Sequence, residues 1–256
     1  MVLPRPLTVD AEALVRLVRL ENLGEPHITL KPPGVWRPRA EEQQVEAETR
    51  SEFLRHGLLD RRGRVDVELS ASLAVLCRAG VEFYGWINEG DRTRAVLAAA
   101  IGREAVLAIR DGDEITMNQI RPESLPEVLV AQTPEVPPAR GEAHNILRSE
   151  VLAAVGGRHR TEAGVGSRPA PPDVRAVQQI AAQPTKGGGE LYVAVRDRMS
   201  RRRPVRYPLR YADTVIGRWL NHMTDAGHGE HRVLVAPASR TDLVRRLQEM
   251  HRALIG

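Results

Sequence analysis

Aromatic residues are scarce in this chain: two Phe, three Trp and four Tyr make up 4% of it, so its interior has to be aliphatic. Lysine is scarcer, with only Lys31 and Lys186, so 35 of the 37 cationic residues are arginine, the skew of a GC-rich coding sequence. A single cysteine, Cys77, excludes an internal disulfide and a cysteine-rich zinc site. It lies in the apolar run Leu73 to Cys77 and reads as a small core residue. The longest uninterrupted apolar run, Ala95 to Ile101, has seven residues, where a membrane-spanning helix needs roughly 20. No segment is expected to span a bilayer. Residues 1–10 hold two prolines and no apolar stretch leading to a small-residue cleavage site, so the chain is expected to stay in the cytoplasm.

Catalytic signatures are also missing. Thr185-Lys186-Gly187-Gly188-Gly189 lacks the order of a phosphate-binding loop and a strand before it, and reads as a flexible lead into a strand. Gly164-Val165-Gly166-Ser167-Arg168-Pro169 lacks the third glycine of a dinucleotide fingerprint. There is no G-x-S-x-G elbow, and Asp111 with Asp113 falls in a solvated turn rather than a pocket. The most metal-like spacing is His222, His228 and His231 with Asp225 and Glu230 interleaved. Gly227 and Gly229 make that stretch, Asn221 to Glu230, read as a polar hairpin connection instead. No metal, cofactor or catalytic residue is assigned, and an enzyme would need a pocket built from residues that no motif reveals.

What is present is ordinary globular material: 256 residues, 42% hydrophobic and 27% charged, enough for one large domain or two fused halves. Charge divides unevenly, with net −4 over residues 1–140 and net +8 over 141–256. Hydrophobic spacing predicts an opening helix over Val9 to Leu23 capped by Asp10, a charged helix from Arg39 to His56 stopped by Gly57, and a third from Asp66 to Arg78. The period then shortens: Val81 to Ile87, Thr93 to Ile101, Glu104 to Arg110 and Glu114 to Ile120 read as an antiparallel meander, followed by a short helix from Glu123 to Ala131. Thr133 to Gly141, with three prolines and a glycine, reads as a connector.

The second half predicts helices at Asn145 to Val155 and Asp173 to Ala182, with a mobile loop at Gly156 to Pro172 between them. Strands follow at Leu191 to Arg198, Val205 to Tyr211, Asp213 to Leu220 and Arg232 to Ala236, and a closing helix at Thr241 to Leu254. Each half thus reads as helix, four strands, a proline and a helix, with Ile120 to Leu125 and Val235 to Ser239 at matching junctions. The expected fold is α+β, an antiparallel sheet flanked by helices in two quasi-symmetric halves, 1–140 and 141–256, forming one compact unit.

Arg196 to Arg210 is the densest chemical feature, with arginines at 196, 198, 201, 202, 203, 206 and 210 and Tyr207 among them. Such a cluster can contact phosphates and stack on bases. Its alternation with Leu191, Val193, Val195, Val205, Tyr207 and Leu209 is also that of a half-exposed hairpin with residues 201–203 at its tip.

Three stretches in order carry a resemblance that runs nearly end to end. They are Arg55-His56-Gly57-Leu58-Leu59-Asp60 with Gly63-Arg64-Val65 and the strand through Trp86, then the arginine-rich hairpin leading into Tyr211-Ala212-Asp213-Thr214-Val215-Ile216-Gly217-Arg218-Trp219, and Val233-Leu234-Val235-Ala236-Pro237-Ala238 before the terminal helix. The chain resembles the EspG family, cytosolic chaperones of type VII (ESX) secretion in high-GC Gram-positive bacteria. The resemblance implies a bent antiparallel sheet with helical bundles, and a non-enzymatic adaptor that binds the hydrophobic tip of PE/PPE-type helical-hairpin substrates, keeps them soluble and addresses them for secretion. Related helical-hairpin partners and a weak homodimer stay open, as does the nucleic-acid alternative at 196–210. Tyr192, Tyr207, Leu209, Trp219, Leu243 and Leu247 are the candidate partner contacts, chosen as apolar or aromatic residues of the second-half sheet and last helix.

Overall fold

Capping residues fix where the helices begin, and a computed structural model describes residues 1–34, 36–60, 62–153 and 170–256. A short strand, β1 (Leu7–Asp10), runs directly into α1 (Ala11–Leu20). Asp10 Oδ1 accepts from the backbone N–H groups of Glu12 and Ala13 at 2.9 and 3.0 Å, so the cap read from sequence holds. The charged helix is α2 (Arg39–Arg55). Asp66 caps α3 (Val67–Arg78) in the same way, accepting from Glu68 and Leu69 at 3.0 Å.

The meander follows as β2 (Val81–Glu89), β3 (Arg92–Ile101), β4 (Glu104–Asp111) and β5 (Glu114–Gln119), each within two residues of expectation. Its three turns begin with Gly90, Gly102 and Gly112 at φ near +60°, the left-handed conformation that tight hairpins demand. A short helix, α4 (Leu125–Ala131), ends this half. The second half contains β6 (His144–Leu147), α5 (Pro172–Ala181), β7 (Thr185–Arg196), β8 (Arg202–Pro204), β9 (Leu209–Thr214), β10 (Gly217–Gly227), β11 (Glu230–Pro237) and α6 (Arg240–Ile255). Ser239 and Asp242 form a reciprocal capping box on α6.

All these strands join one antiparallel sheet in the order β1-β5-β4-β3-β2-β7-β9-β10-β11-β6, with β8 paired to β7. Counted inward from the two edges, the order is β1, β5, β4, β3, β2 on one side and β6, β11, β10, β9, β7 on the other. In each half the first strand returns to the outer edge beside the last, the remainder form a meander, and a helix closes the unit. This is the quasi-symmetry anticipated from the sequence, and the halves meet where β2 pairs with β7 through Tyr84↔Tyr192.

Several expectations need correction. The opening helix starts at Ala11, not Val9, because Leu7–Asp10 pair with Glu114–Met117 at the sheet edge. Asn145 to Leu147 are strand rather than helix: Ile146 pairs with Val233 and is 3% exposed, a tertiary pairing that overrides local preference. Helix then occupies residues 148–153. Of the loop expected over 156–172, residues 156–169 lie outside the described residues, and α5 already begins at Pro172. Gly187, Gly188 and Gly189 are not a flexible lead but full members of β7, paired with both β2 and β9.

The arginine hairpin is shorter than read, since Arg202 and Arg203 pair with Arg196 and Val195 and the turn lies at 197–201. Residues 205–208 are outside the strands, although the Val205 N–H still donates to Val193 O at 2.9 Å. Asp213 to Leu220 is not one strand but the end of β9 and the start of β10, joined by a turn at Val215 and Ile216 where Thr214 Oγ1 donates to Gly217 O at 2.8 Å. Asn221 to Gly227 continue β10, so the polar connection shrinks to the turn at 227–230.

The face carrying Tyr84 and Tyr192, called here the tyrosine face, is covered on its first-half side by α1 and α3. Leu14, Leu17, Leu69, Leu73 and Leu76 pack there on Leu97, Ala99, Val106 and Ala108. On the opposite face α4 and α6 cover both halves, with Leu129, Leu243 and Leu247 against Phe83, Val96, Val193 and Leu209. A smaller cluster on the tyrosine face sets Val177 and Ile180 of α5 over Trp219, Val233 and Val235. At the crossing of the halves Gly85 sits so close to β7 that an added Cβ would lie 2.2 Å from the Glu190 carbonyl oxygen, an approach only glycine allows.

Arg218, fully buried, ties the β9–β10 turn to the connector. Its Nε and Nη2 donate to the two Asp213 carboxylate oxygens at 2.6 and 2.8 Å, Nη1 donates to Thr133 Oγ1 at 3.2 Å, and Nη2 also donates to Pro134 O at 2.8 Å. The guanidinium lies 4.6 Å from the centre of the Tyr211 ring.

Candidate functional site

Among the described residues the helices leave one stretch of the tyrosine face uncovered. Between the α1 and α3 layer on one side and α5 on the other, strand register lines up Trp86, Glu190, Arg210, Asn221 and Val235 on successive strands β2, β7, β9, β10 and β11. Paired residues share a face, so these five form a row across the floor of a trough. A cavity of about 540 Å³ opens here, bounded by Val177, Ile180 and Ala181 of α5 and floored by Gly188, Glu190, Arg210, Trp219 and Asn221. Gly188 contributes bare backbone, which deepens the floor.

The floor is polar at its centre and apolar at its margins. Glu190 Oε1 accepts from Arg210 Nε at 2.7 Å and Oε2 accepts from the Tyr192 hydroxyl at 2.7 Å. The Tyr192 hydroxyl, then Arg210, hold the Glu190 carboxyl below the usual carboxylate range. Burial, reinforced by that bond to Glu190, pushes the Tyr192 phenol up to about 12. Tyr192 stacks on Tyr84 at 5.2 Å and meets Trp86 edge-on at 5.8 Å, which fixes the ring at the first-half margin. Trp219 Nε1, in the floor, is buried without a hydrogen-bond partner among the described residues.

The six contact candidates separate. Tyr192 stands half-buried beside the trough, and Trp219, 4% exposed, lines its floor against the connector at Ala139 and Gly141. Tyr207 is elsewhere, its hydroxyl 3.2 Å from His231 Nε2, at a second cavity of about 380 Å³ beside the C-terminal part of α6. Leu209, Leu243 and Leu247 have no exposed surface and join the core under α6. They point inward because apolar positions on a half-exposed sheet and an amphipathic helix face the helix–sheet interior first, which corrects their choice as contacts. Glu190, Arg210, Asn221, Val177 and Ile180 were not singled out. The signal available was the glycine triplet inside an alternating strand, a mark of bare or closely approached backbone.

The arginine cluster is mostly committed within the protein. Arg196 donates to the carbonyls of Cys77, Ala79 and Ser200; Arg201 pairs with Asp197, Arg202 with Glu82, Arg206 with Asp225 and Arg210 with Glu190. Only Arg198 and Arg203 have side chains without such a partner among the described residues. The histidines do not converge either. His222 faces the α6 side, His228 sits in the β10–β11 turn with φ +50°, and His231 meets Tyr207. Among the described residues no three His, Cys, Asp or Glu side chains gather as a metal site, and no helix is long and apolar enough to cross a membrane. Cys77 is half-buried rather than core, and burial pushes its thiol up to about 11, so it stays protonated near neutrality.

His222 is 8% exposed, and burial pushes its imidazole down from 6.5 to about 4. Between those values the unfolded chain binds a proton that the folded one refuses, so the stabilising contribution is complete above pH 6.5 and is lost as pH falls toward 4. Replacing His222 with Gln is expected to flatten that limb of the urea-unfolding stability profile by up to about 3 kcal/mol. An unchanged slope contradicts the assignment.

Comparison with known proteins gives a consistent picture. A family model described as EspG family matches residues 10–249. No curated protein sequence matches the chain. Among solved structures, that of the Mycobacterium tuberculosis type VII secretion system chaperone EspG5 in complex with PE25-PPE41 dimer includes a chain that superposes with a TM-score of 0.68, covering 95% of this chain and 95% of that one at 17% sequence identity. At that identity the likeness shows the fold.

Proposed function

The chain belongs to the EspG family, and from that premise we propose that it is a non-enzymatic chaperone and adaptor of the cytosol, whose trough receives the tip of a PE/PPE-type helical-hairpin substrate of type VII secretion. The observation that carries this reading is the row Trp86, Glu190, Arg210 and Asn221 across the tyrosine face, open among the described residues and walled by α5. An exposed apolar patch on a long hairpin invites aggregation. A helix-walled sheet trough of this size covers such a tip, with Tyr192 and Trp86 on one margin and Val177 and Ile180 on the other. The EspG5 structure was solved with a PE25-PPE41 dimer, which supports the same class of partner.

The internal pairing of four of the seven arginines between 196 and 210, with a fifth bonded to backbone carbonyls, argues against a nucleic-acid reading. The test is co-expression with each PE/PPE-type or other helical-hairpin secretion substrate of the same genome, followed by size-exclusion chromatography. The expected result is a stoichiometric complex with at least one substrate that precipitates when expressed alone. If every candidate stays soluble alone and none co-elutes, the proposal fails.

A further inference from the structure

The apolar margins of the trough account for the side chains of a partner's tip but not for its backbone. Where one helix of a hairpin ends and the next begins, the last carbonyls of the first and the first amides of the second have no partner within their own helices. These ends carry opposite partial charges, lie one helix spacing of roughly 8–10 Å apart, and are joined by a loop of only about 2–5 residues. Closing a purely apolar trough over them would leave polar groups buried and unsatisfied, which opposes binding.

Glu190 and Arg210 are formed to meet this need. They occupy opposed positions on β7 and β9 at the centre of the floor, and both remain open, with side chains 40% and 55% exposed. Arg210 spends only Nε on Glu190, leaving its two terminal amino groups without a partner among the described residues. Each Glu190 oxygen accepts one bond, from Arg210 and from Tyr192, and an ionised carboxylate has about four acceptor sites. Asn221, paired to Arg210 on β10 and exposed, adds one further donor and acceptor in the same row. The pair therefore presents a fixed positive end and a fixed negative end side by side, held in position by the Tyr192 ring that Tyr84 stacks against.

Resting on the chaperone reading, we propose that Glu190 and Arg210 form a polarised clamp for the backbone of the hairpin tip, Arg210 receiving the C-terminal carbonyls of the incoming helix and Glu190 the N-terminal amides of the outgoing one. The clamp sets which way round the hairpin sits, since a reversed tip would bring like charges together. An apolar contact area gives affinity, and this pair gives orientation.

The probe is the helical-hairpin substrate that forms the stoichiometric complex in the co-expression test, titrated against purified chain. The decisive variant is the charge swap Glu190→Arg with Arg210→Glu, which keeps an ion pair on the floor and inverts its direction. It is expected to melt within about 3 °C of the native chain and to bind about 100-fold more weakly. A swap that binds within about threefold of the native chain overturns the clamp. Should the swapped chain not fold, the neutral pair Glu190→Gln with Arg210→Gln decides: a loss of about tenfold supports the clamp, and unchanged binding overturns it. A native chain that binds no hairpin substrate sinks the chaperone reading itself, whereas native binding with an indifferent swap sinks the clamp alone.

Discussion

Asn221→Trp is expected to abolish co-elution of the hairpin substrate while leaving the melting temperature and the elution volume of the free chain unchanged. Asn221 is exposed on the trough floor, between Arg210 on β9 and Val235 on β11, and no fold contact depends on its side chain among the described residues. Trp is at ease in a strand, so the substitution adds bulk to the cavity without removing anything from the core. A tip shaped to that floor then meets an indole, and interface cores pack as densely as protein interiors. The expected loss is about 100-fold or more in Kd, measured by titration of the purified chain against the same substrate. The paired control is Arg198→Ala with Arg203→Ala, the two arginines of the basic hairpin without a partner among the described residues, which is expected to leave substrate binding unchanged. Intact binding by Asn221→Trp removes the trough as the binding site, and lost binding in the arginine control moves the site to the hairpin.

Much of this arrangement is legible in the sequence because it is local. Asp10 and Asp66 declare the starts of α1 and α3 through their own side chains, and the glycines at 90, 102 and 112 place the meander turns. The errors concentrate where a distant strand decides. Leu7–Asp10 and His144–Leu147 are each four residues long and are strands only because β5 and β11 are there to pair with them. Gly187 to Gly189 look flexible in isolation and are held by a neighbour on each side.

The trough was hidden for a related reason. A sequence shows that Glu190 and Arg210 alternate with apolar residues, and so shows that they face away from Leu191 and Leu209. It does not show which stretches of that second face the helices leave bare. The choice of Leu209, Leu243 and Leu247 as contacts followed hydrophobicity, which in a half-covered sheet marks the interior, while the residues on the open floor are polar. Trp219 was found because it is large and apolar and also happens to sit where the cover ends.

Arg218→Met is expected to be the most destabilising single change on the sheet, at about 3–5 kcal/mol, or a fall in Tm of about 10–15 °C at this chain length. The guanidinium has no exposed surface and fills five roles from one position: both Asp213 oxygens, Thr133 Oγ1, Pro134 O and the Tyr211 ring. Its backbone adds more, with its N–H donating to Pro137 O at 2.8 Å and its carbonyl accepting from Ala139 and Ala238 at 3.0 Å. The residue therefore joins the β9–β10 turn, the connector after α4 and the chain just ahead of α6. Methionine preserves much of the volume, so the cost comes from Asp213, 3% exposed, left as a buried charge without its partner. Asp213→Leu combined with Arg218→Met removes both charges and is expected to recover a substantial part of the loss, since an apolar pair of similar volume often replaces a buried ion pair at little cost. The double-mutant cycle thus separates the pair from the site it occupies. An Arg218→Met chain that melts within about 3 °C of the native one contradicts the assignment. Additivity of the two changes would show that the stretch from Asp213 to Arg218 holds the hairpin by its turn geometry, through Thr214 and Gly217, rather than by its charges.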